Sequence, residues 1–302
     1  MEDIVHVETI TEAHQIFGLP KPKHPLVSVI YHKDIQLTQN VQNIPFTLGM
    51  FYIACKSDGG GSLKYGRSSY DFDEGSMLFV KPGQVIQNEG HEASGSDKGW
   101  TFLFHPDLIR RSELGNAINR YSFFSYDLTE ALHLSEDEEQ TLKDLLVKIE
   151  SEYNQNIDRH TQKLIVSNIE LFLDYCTRYY DRQFYTRTNL NLDILGKFET
   201  LLEEYYTRME QINMGVPTVQ YCGDKLNFSP KYLSDLLKKE TGKSAKSHID
   251  DFLIEKAKNR LLSSKDSVSE VAFHLGFEYS QHFSKMFKVK TGVSPSEYRI
   301  LN

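Results

Sequence analysis

The chain has 302 residues, of which 39% are hydrophobic and 25% are charged, and its formal net charge is −8. This composition is typical of a folded protein, and the length suggests two domains that each bury a core. No apolar run reaches the roughly 20 residues that a membrane-spanning helix needs, and the first residues do not resemble a signal peptide. We therefore predict a cytoplasmic protein without a membrane partner.

Charge is divided unevenly along the sequence. Residues 207–302 hold 15 Lys and Arg against 11 Asp and Glu, whereas residues 1–206 hold 19 against 31. An acidic chain with a basic C-terminal part is consistent with nucleic-acid binding at that end only. The three cysteines, Cys55, Cys176 and Cys222, match neither a disulfide framework nor a metal-binding cluster, which agrees with a reducing compartment.

The N-terminal part is predicted to be an arm followed by a β domain. Residues 1–24 lead into a proline-rich stretch that favours extended backbone, and we predict an arm there. Short apolar runs then alternate with Gly and Pro turns between residues 25 and 106. The predicted strands lie at 26–30, 46–54, 62–72, 77–80 and 100–104. Such a pattern indicates a small antiparallel barrel or sandwich.

From residue 107 the apolar spacing becomes helical. Ser135 and Glu138 predict a capping box at the start of a helix. Two stripes at helical spacing follow: Leu142, Leu145, Leu146, Ile149 and Tyr153, and then Leu164, Ile165, Ile169, Phe172, Leu173, Cys176 and Tyr180. Either these stripes pack on each other and on the β domain, or one of them is a subunit interface, so residues 107–183 are a candidate dimerisation region. A linker at 184–191 and a connecting helix complete the segment 184–217.

The most informative pattern is a motif that occurs twice in the C-terminal part. Residues 233–244 and 283–294 both read apolar-Ser-x-apolar-apolar-Lys-x-x-Thr-Gly-x-Ser. A short amphipathic helix and a turn, Leu226-Asn227-Phe228 or Leu275-Gly276-Phe277, precede each copy. Predicted N-caps at Thr218, Ser229 and Ser267 define the helices. We therefore predict two helix-turn-helix units over residues 218–302, joined by a linking helix.

Two such units predict DNA binding, because a helix end fits the major groove and short polar or basic side chains reach base edges. In the second helix of each unit, the leucine and phenylalanine positions are predicted to face inward. Lys231, Tyr232, Ser234, Asp235 and Lys238 then point outward in the first unit. Lysines along these helices and helix N-termini suit phosphate. The predicted phosphate contacts are Ser229, Lys238, Lys239, Ser267 and Lys288.

Residues 218–302 resemble the DNA-binding domain of AraC/XylS-type bacterial transcription regulators. The most specific matches are 275–277, 283–288 and 292–299. The resemblance implies that the two units enter successive major grooves on one face of the DNA. It also implies base contacts by Lys231, Ser234 and Asp235 in the first unit, and by Ser280, Gln281, Ser284 and Lys285 in the second. Asp235 departs from the basic or amide residue that many relatives have there.

Residues 75–83 are similar to a strand and turn of the cupin-like sensor domain in the same family. Enzymatic cupins hold a metal with a His-x-His pair, a Glu and a later His. This sequence has no His-x-His pair, and His32, His91 and His105 stand alone. We therefore predict neither a metal nor a cofactor. Phe51, Tyr52, Trp100 and Phe102 are candidate residues for an aromatic ligand pocket in a cupin-like barrel over residues 25–106.

The sequence thus predicts an α+β multidomain protein that regulates transcription and is not an enzyme. The predicted partners are double-stranded DNA, a second copy of the chain, a small-molecule effector and, for an activator, RNA polymerase. One alternative is a cupin-type metalloenzyme fused to a DNA-binding domain, which would need a bound metal. Another is a non-specific architectural DNA-binding protein, a class that should be strongly basic rather than carry a net charge of −8.

Overall fold

A computed structural model gives two compact units, Met1–Gln183 and Phe184–Asn302. The structure describes residues 4–36, 45–56, 62–65, 68–71, 75–89, 99–156, 158–186 and 188–301. The first unit combines sheets with helices, and the second is helical, so the fold is α+β. Among the described helices, none is both long enough and apolar enough to cross a bilayer.

In the first unit, strands predominate up to residue 104 and helices predominate after it. The strands are β1 Val5–Val7, β2 Val27–Tyr31, β3 Pro45–Leu48, β4 Phe51–Lys56, β5 Ser62–Tyr65, β6 Ser68–Asp71, β7 Ser76–Val80, β8 Val85–Glu89, β9 Gly99–Phe104 and β10 Leu132–His133. The helices are α1 Ile10–Ile16, α2 Pro106–Ile109, α3 Glu113–Ala117, α4 Glu136–Asn154 and α5 Thr161–Thr186.

The described strands form two five-stranded sheets rather than a closed barrel. One sheet has the order β1-β3-β8-β5-β6 and the other β10-β7-β4-β9-β2. All pairs are antiparallel except β1 with β3, which is parallel. A buried cluster contains side chains from both sheets, so the sheets pack face to face. Of the two predicted forms, a small barrel or a sandwich, the described strands therefore form the sandwich, and the predicted barrel is not found among them.

The N-terminal segment differs from the predicted extended arm. Val5–Val7 adds a strand to the first sheet, pairing with residues 46–48. A capping box of Thr9 and Glu12 starts α1, whose Ile10 and Ala13 are buried in the cluster between the sheets. This segment is thus part of the β core, because its apolar residues have a sheet face to cover.

Helices cover the opposite face of the second sheet. The rings of Trp100 and Phe102 lie 6.0 and 5.7 Å from the ring of Phe172 in α5. The backbone N–H of Val29 in β2 donates to Tyr153 Oη of α4 at 3.2 Å. Apart from Leu164, every residue of the two predicted stripes is buried. These stripes therefore form interior packing, and the alternative that they form a subunit interface is wrong for all of them except Leu164.

The second unit is built from helices α6 Thr188–Thr207, α7 Gln211–Met214, α8 Val219–Leu226, α9 Pro230–Thr241, α10 Ala245–Ser263, α11 Val268–His274, α12 Ser280–Thr291 and α13 Pro295–Leu301. Residues 184–186 end α5 and Thr188 begins α6, so the described part of the predicted linker at 184–191 is helical. A core of apolar side chains from α6 and α8 to α12 holds the unit together.

Candidate DNA interface

The first helix-turn-helix unit consists of α8, a short turn and α9. Thr218 Oγ1 accepts the N–H of Tyr221 and so caps α8, as predicted. Asn227 ends α8 with a φ of 59°, a left-handed conformation that asparagine tolerates. Ser229 Oγ accepts the N–H of Tyr232 at the start of α9, and Pro230 follows at the first helical position, where its missing N–H leaves no bond unmade.

The second unit repeats this design with α11, a turn and α12. Ser267 and Glu270 form the predicted capping box. Hydrogen bonds from the backbone N–H and side chain of Ser267 lower the pKa of the Glu270 carboxyl. Gly276 makes the turn with a φ of +89°, which confirms the predicted need for positive φ. Tyr279 precedes α12 but makes no side-chain cap.

The repeated Thr-Gly motif ends both second helices in the same way. Thr241 Oγ1 donates to the carbonyl of Leu237, and Thr291 Oγ1 donates to the carbonyl of Phe287, each at 2.8 Å. The glycine after each threonine has a positive φ, 76° at Gly242 and 85° at Gly292. The sequence repeat therefore encodes one local structure twice, and it fixes where each helix stops.

The linking helix α10 joins the two units by packing and by charge. Asp251 accepts hydrogen bonds of 2.7 Å from Lys243, which follows α9, and from Lys290 in the last turn of α12. Burial alone would raise the pKa of Asp251, but these two lysines outweigh it and lower the pKa. One carboxylate thus ties the ends of both second helices to α10. Sequence patterns did not single out Asp251, because nothing in its spacing shows that two distant lysines converge on it.

The outward face of α12 is polar and accessible. Gln281, Lys285 and Lys288 are exposed, while Ser280 and Ser284 are half-buried. Ser284 Oγ donates to the carbonyl of Ser280, but its remaining lone pairs are open to a ligand. Within the described part of the chain, neither Lys285 nor Lys288 forms a salt bridge. Their charges are available to a polyanion.

Two residues that were predicted to be accessible at the start of α9 are buried instead. Tyr232 is only 3% exposed and stacks on Phe228, so it belongs to the interior. Ser229, predicted to contact phosphate, is 4% exposed and its hydroxyl caps α9, so it is buried away from any phosphate. Both follow from the tight turn, which presses the first turn of α9 onto Phe228.

The other predicted residues of α9 do lie on its accessible side. Lys231, Lys238 and Lys239 are exposed, and Ser234 and Asp235 are half-buried. Lys231 Nζ lies 3.2 Å from Asp235 Oδ1 in a salt bridge. This pairing satisfies part of the charge of both residues, so the first unit offers less free positive charge than α12. Ser267, the remaining predicted phosphate contact, is exposed at the N-terminus of α11.

Comparison with known proteins agrees with this geometry. The family model for a helix-turn-helix domain matches residues 222–300. The HTH-type transcriptional regulator YobQ of Bacillus subtilis is 33% identical over 82 residues, which make up 27% of this chain. The chain carries an AraC-type helix-turn-helix domain. The predicted resemblance is therefore confirmed for the C-terminal domain.

Two further proteins are similar to this chain over different lengths. YijO of Escherichia coli, also named as an HTH-type transcriptional regulator, is 23% identical and covers 89% of this chain and 95% of its own. The C-terminal domain of the response regulator yesN from Fusobacterium nucleatum is 29% identical over 35% of this chain and 98% of that domain, with a TM-score of 0.32. By contrast, the match to YobQ spans only 34% of the length of YobQ.

Outside the AraC-type domain, the four candidate pocket residues do not share one face. Because side chains alternate along a strand, Phe51 and Tyr52 point to opposite sides of the second sheet. Phe51, Trp100 and Phe102 contact aromatic rings of the helical layer or of neighbouring strands. Tyr52 packs instead against the cluster between the two sheets. The prediction that these four residues line a single pocket is therefore wrong.

The described residues also show how the histidines are used. His32 Nε2 lies 2.9 Å from Thr101 Oγ1, and His105 Nδ1 accepts the N–H of Asp107, while His91 lies outside the described residues. Across the part of the chain that the structure describes, no group of three or more His, Cys, Asp or Glu is arranged to hold a metal ion. The relatives of the AraC-type domain are named as transcriptional regulators, so they give no support to the metalloenzyme alternative.

Proposed function

We propose that the chain is a sequence-specific DNA-binding regulator of transcription that reads its site with α9 and α12. The observation that carries this proposal is the exposed polar face of α12, with its unpaired Lys285 and Lys288, on an AraC-type domain. Gln281 and Lys285 lie one turn apart on that face, where amide and ammonium groups can bind base edges. The half-buried Ser280 and Ser284 complete the proposed base contacts of the second unit. Lys231, Ser234 and Asp235 are those of the first.

Replacing Gln281 or Lys285 with alanine is expected to weaken binding to the preferred site by about 1–3 kcal/mol, because each side chain is proposed to contact a base. The site is obtained by selecting bound fragments from random DNA. Affinity is then measured for the selected and for scrambled DNA at one physiological salt concentration.

Two lysine variants serve as matched controls. Lys288→Ala removes a proposed phosphate contact and should weaken binding to both DNAs alike. Lys258→Ala removes a lysine of α10 that is paired with Glu255, and should change neither affinity. Unchanged binding by both Gln281→Ala and Lys285→Ala would remove the proposed base contacts.

We further propose that the chain forms a homodimer through an exposed stripe on α5. Leu164 and Leu171 are 44% and 45% exposed and lie seven residues apart. Asn168, between the two leucines, and Tyr175, four residues after Leu171, are half-buried and continue the same stripe. Apolar residues at heptad spacing are typical of a seam between two helices, and an asparagine there favours a fixed register. A second copy of the chain suits this stripe, since two DNA-binding domains bind two half-sites with gained avidity.

The double variant Leu164→Glu/Leu171→Glu is expected to turn the dimer into a monomer, because it places like charges across the seam. Sedimentation at micromolar concentration measures the mass. Val147→Glu on α4 is the control, because Val147 is 55% exposed but lies outside the stripe. A monomeric mass for the unsubstituted chain, both with and without DNA, would contradict the proposal.

We also propose that the N-terminal unit, Met1–Gln183, binds a small-molecule effector and so alters the occupancy of the DNA site. Of the four candidate residues, Tyr52 supports this proposal best, because it packs against the cluster between the two sheets, away from the helical layer. Thr101 lies on the same face of the sheet and bonds His32, so hydrogen-bonding groups accompany the tyrosine there. If the protein activates transcription, RNA polymerase is a further proposed partner.

A further inference from the structure

The two helix-turn-helix units differ by one residue in the turn before the second helix. Four residues lie between Phe228 and Leu233 in the first unit, and five lie between Phe277 and Phe283 in the second. From the start of the second helix onward the units again match at a spacing of 50, so Ser229 corresponds to Tyr279 and Tyr232 corresponds to His282. The added residue changes where these corresponding side chains lie.

In the first unit both positions are interior. Ser229 is 4% exposed and Tyr232 is 3% exposed. The Tyr232 ring stacks on Phe228 with centroids 5.5 Å apart, and the Ser229 hydroxyl caps α9. These two side chains are occupied in holding the turn and the helix start together, so they offer nothing to DNA.

In the second unit the corresponding side chains are accessible. Tyr279 is 55% exposed and His282 is exposed. Their rings meet edge to face with centroids 5.5 Å apart, and Tyr279 makes no side-chain cap for α12. His282 lies next to Gln281 and one turn before Lys285 on the same helix. An aromatic pair at the exposed start of α12 thus adjoins the residues that are proposed to read bases.

We propose that His282 is a specificity-determining residue of the second unit and that Tyr279 is the residue that positions it. This inference rests on the proposed function of the domain in DNA recognition. The imidazole of His282 binds a base edge in the major groove, since a ring nitrogen can donate or accept a hydrogen bond there. The Tyr279 ring restrains the imidazole by its edge contact, and so reduces the freedom that binding would otherwise remove.

The experiment compares the base preferences of variants with those of the full-length chain. Fragments are selected from random DNA with the unsubstituted protein, His282→Ala, Tyr279→Ala and Tyr279→Phe. His282→Ala is expected to lose the preference at one base pair and to bind the original site about 5- to 100-fold more weakly, with little change on scrambled DNA. Tyr279→Ala should relax the same base pair with a smaller loss of affinity, and Tyr279→Phe should retain it because the ring remains.

His274→Ala is the matched control, because His274 is an exposed histidine at the end of α11. Both Tyr279 and His282 are exposed, so melting temperatures should stay unchanged and an affinity loss would not reflect unfolding. An unchanged motif and affinity for His282→Ala would overturn the inference. An equal loss on all DNA would also overturn it, since the histidine would then contact only the backbone. If the unsubstituted protein selects no sequence, the proposed function itself fails, and that outcome is distinct from both.

Discussion

Replacing Phe287 with alanine is expected to lower the free energy of unfolding of the helical unit Phe184–Asn302 by about 3–5 kcal/mol. Phe287 is fully buried, and its ring centroid lies 5.7 Å from that of Phe283 and 5.5 Å from that of Tyr298. The substitution removes apolar area and leaves a cavity where α12 and α13 meet the core. Because domains are stable by only about 5–15 kcal/mol, the variant should lie close to unfolding and lose most DNA binding.

The single tryptophan makes this effect measurable unit by unit. Trp100 lies in the first unit, so its fluorescence follows the unfolding of that unit in urea, whereas circular dichroism also follows the helices of the second. Phe287→Ala should move the dichroism transition to lower urea and leave the fluorescence transition in place. Phe273→Ala, at a phenylalanine of α11 that is 57% exposed, should change stability by less than about 0.5 kcal/mol. Equal shifts for the two variants would contradict the assignment of Phe287 to the core.

The features that could be predicted from the sequence are those that depend on neighbouring residues. Ser135 with Glu138 and Ser267 with Glu270 form the predicted capping boxes, because a side chain and an amide three residues away decide the bond. The glycine turn at Gly276 was predictable for the same reason. The helix-turn-helix domain followed because these local signals occur twice at matching spacing.

Features that depend on distant partners were not predictable in the same way. Val5–Val7 pairs with residues some forty positions later, and no local pattern specifies that partner. The apolar stripes of α4 and α5 could equally have faced a second subunit, and only the packing of Phe172 on the sheet shows that they are interior. Tyr52 and Phe51 are neighbours in sequence but face different layers, which a list of aromatic residues does not reveal.

The candidate DNA site likewise has some features that the sequence predicts and others that depend on distant contacts. Outward positions on α12 followed from helical spacing, and Gln281, Lys285 and Lys288 are exposed as predicted. Spacing alone also placed Tyr232 outward, yet the ring stacks on Phe228 and is buried. We attribute the burial of Tyr232 to the shorter turn before α9, because the length of this turn sets how closely the start of the helix approaches the core.

Replacing Gly276 with alanine is expected to destabilise the helical unit Phe184–Asn302 by about 2–5 kcal/mol, for two reasons that can be separated. Its φ of +89° is unfavourable for any residue with a Cβ, by about 1–2 kcal/mol. In addition, a Cβ at this position would lie 2.6 Å from the carbonyl carbon of Gly215 and 2.9 Å from the nitrogen of Val216. Both of these are backbone atoms, so relieving the overlap requires the two segments to move apart, which adds about 1–3 kcal/mol.

Gly292 separates the conformational term from the overlap. Its φ is +85°, but a Cβ built there meets nothing within 4 Å. Gly292→Ala should therefore show only the smaller loss of about 1–2 kcal/mol, measured by the same urea unfolding. Equal losses at the two glycines would mean that residues 215–216 shift freely, and that their close approach to the turn does not hold the second unit in place.

A third variant, Gly276→Asn, introduces the side chain that the first helix-turn-helix unit has at the corresponding turn. Asn227 occupies the position that corresponds to Gly276, is exposed and has a φ of 59°, so asparagine is accepted at the exposed turn of the first helix-turn-helix unit. Gly276→Asn reduces the conformational penalty but keeps the overlapping Cβ. It should therefore remain well below the unsubstituted protein in stability, and below Gly292→Asn, which meets no overlap. If Gly276→Asn instead restored full stability, only φ would constrain this turn, and the Gly215 contact would have no part in positioning α11 and α12 for DNA.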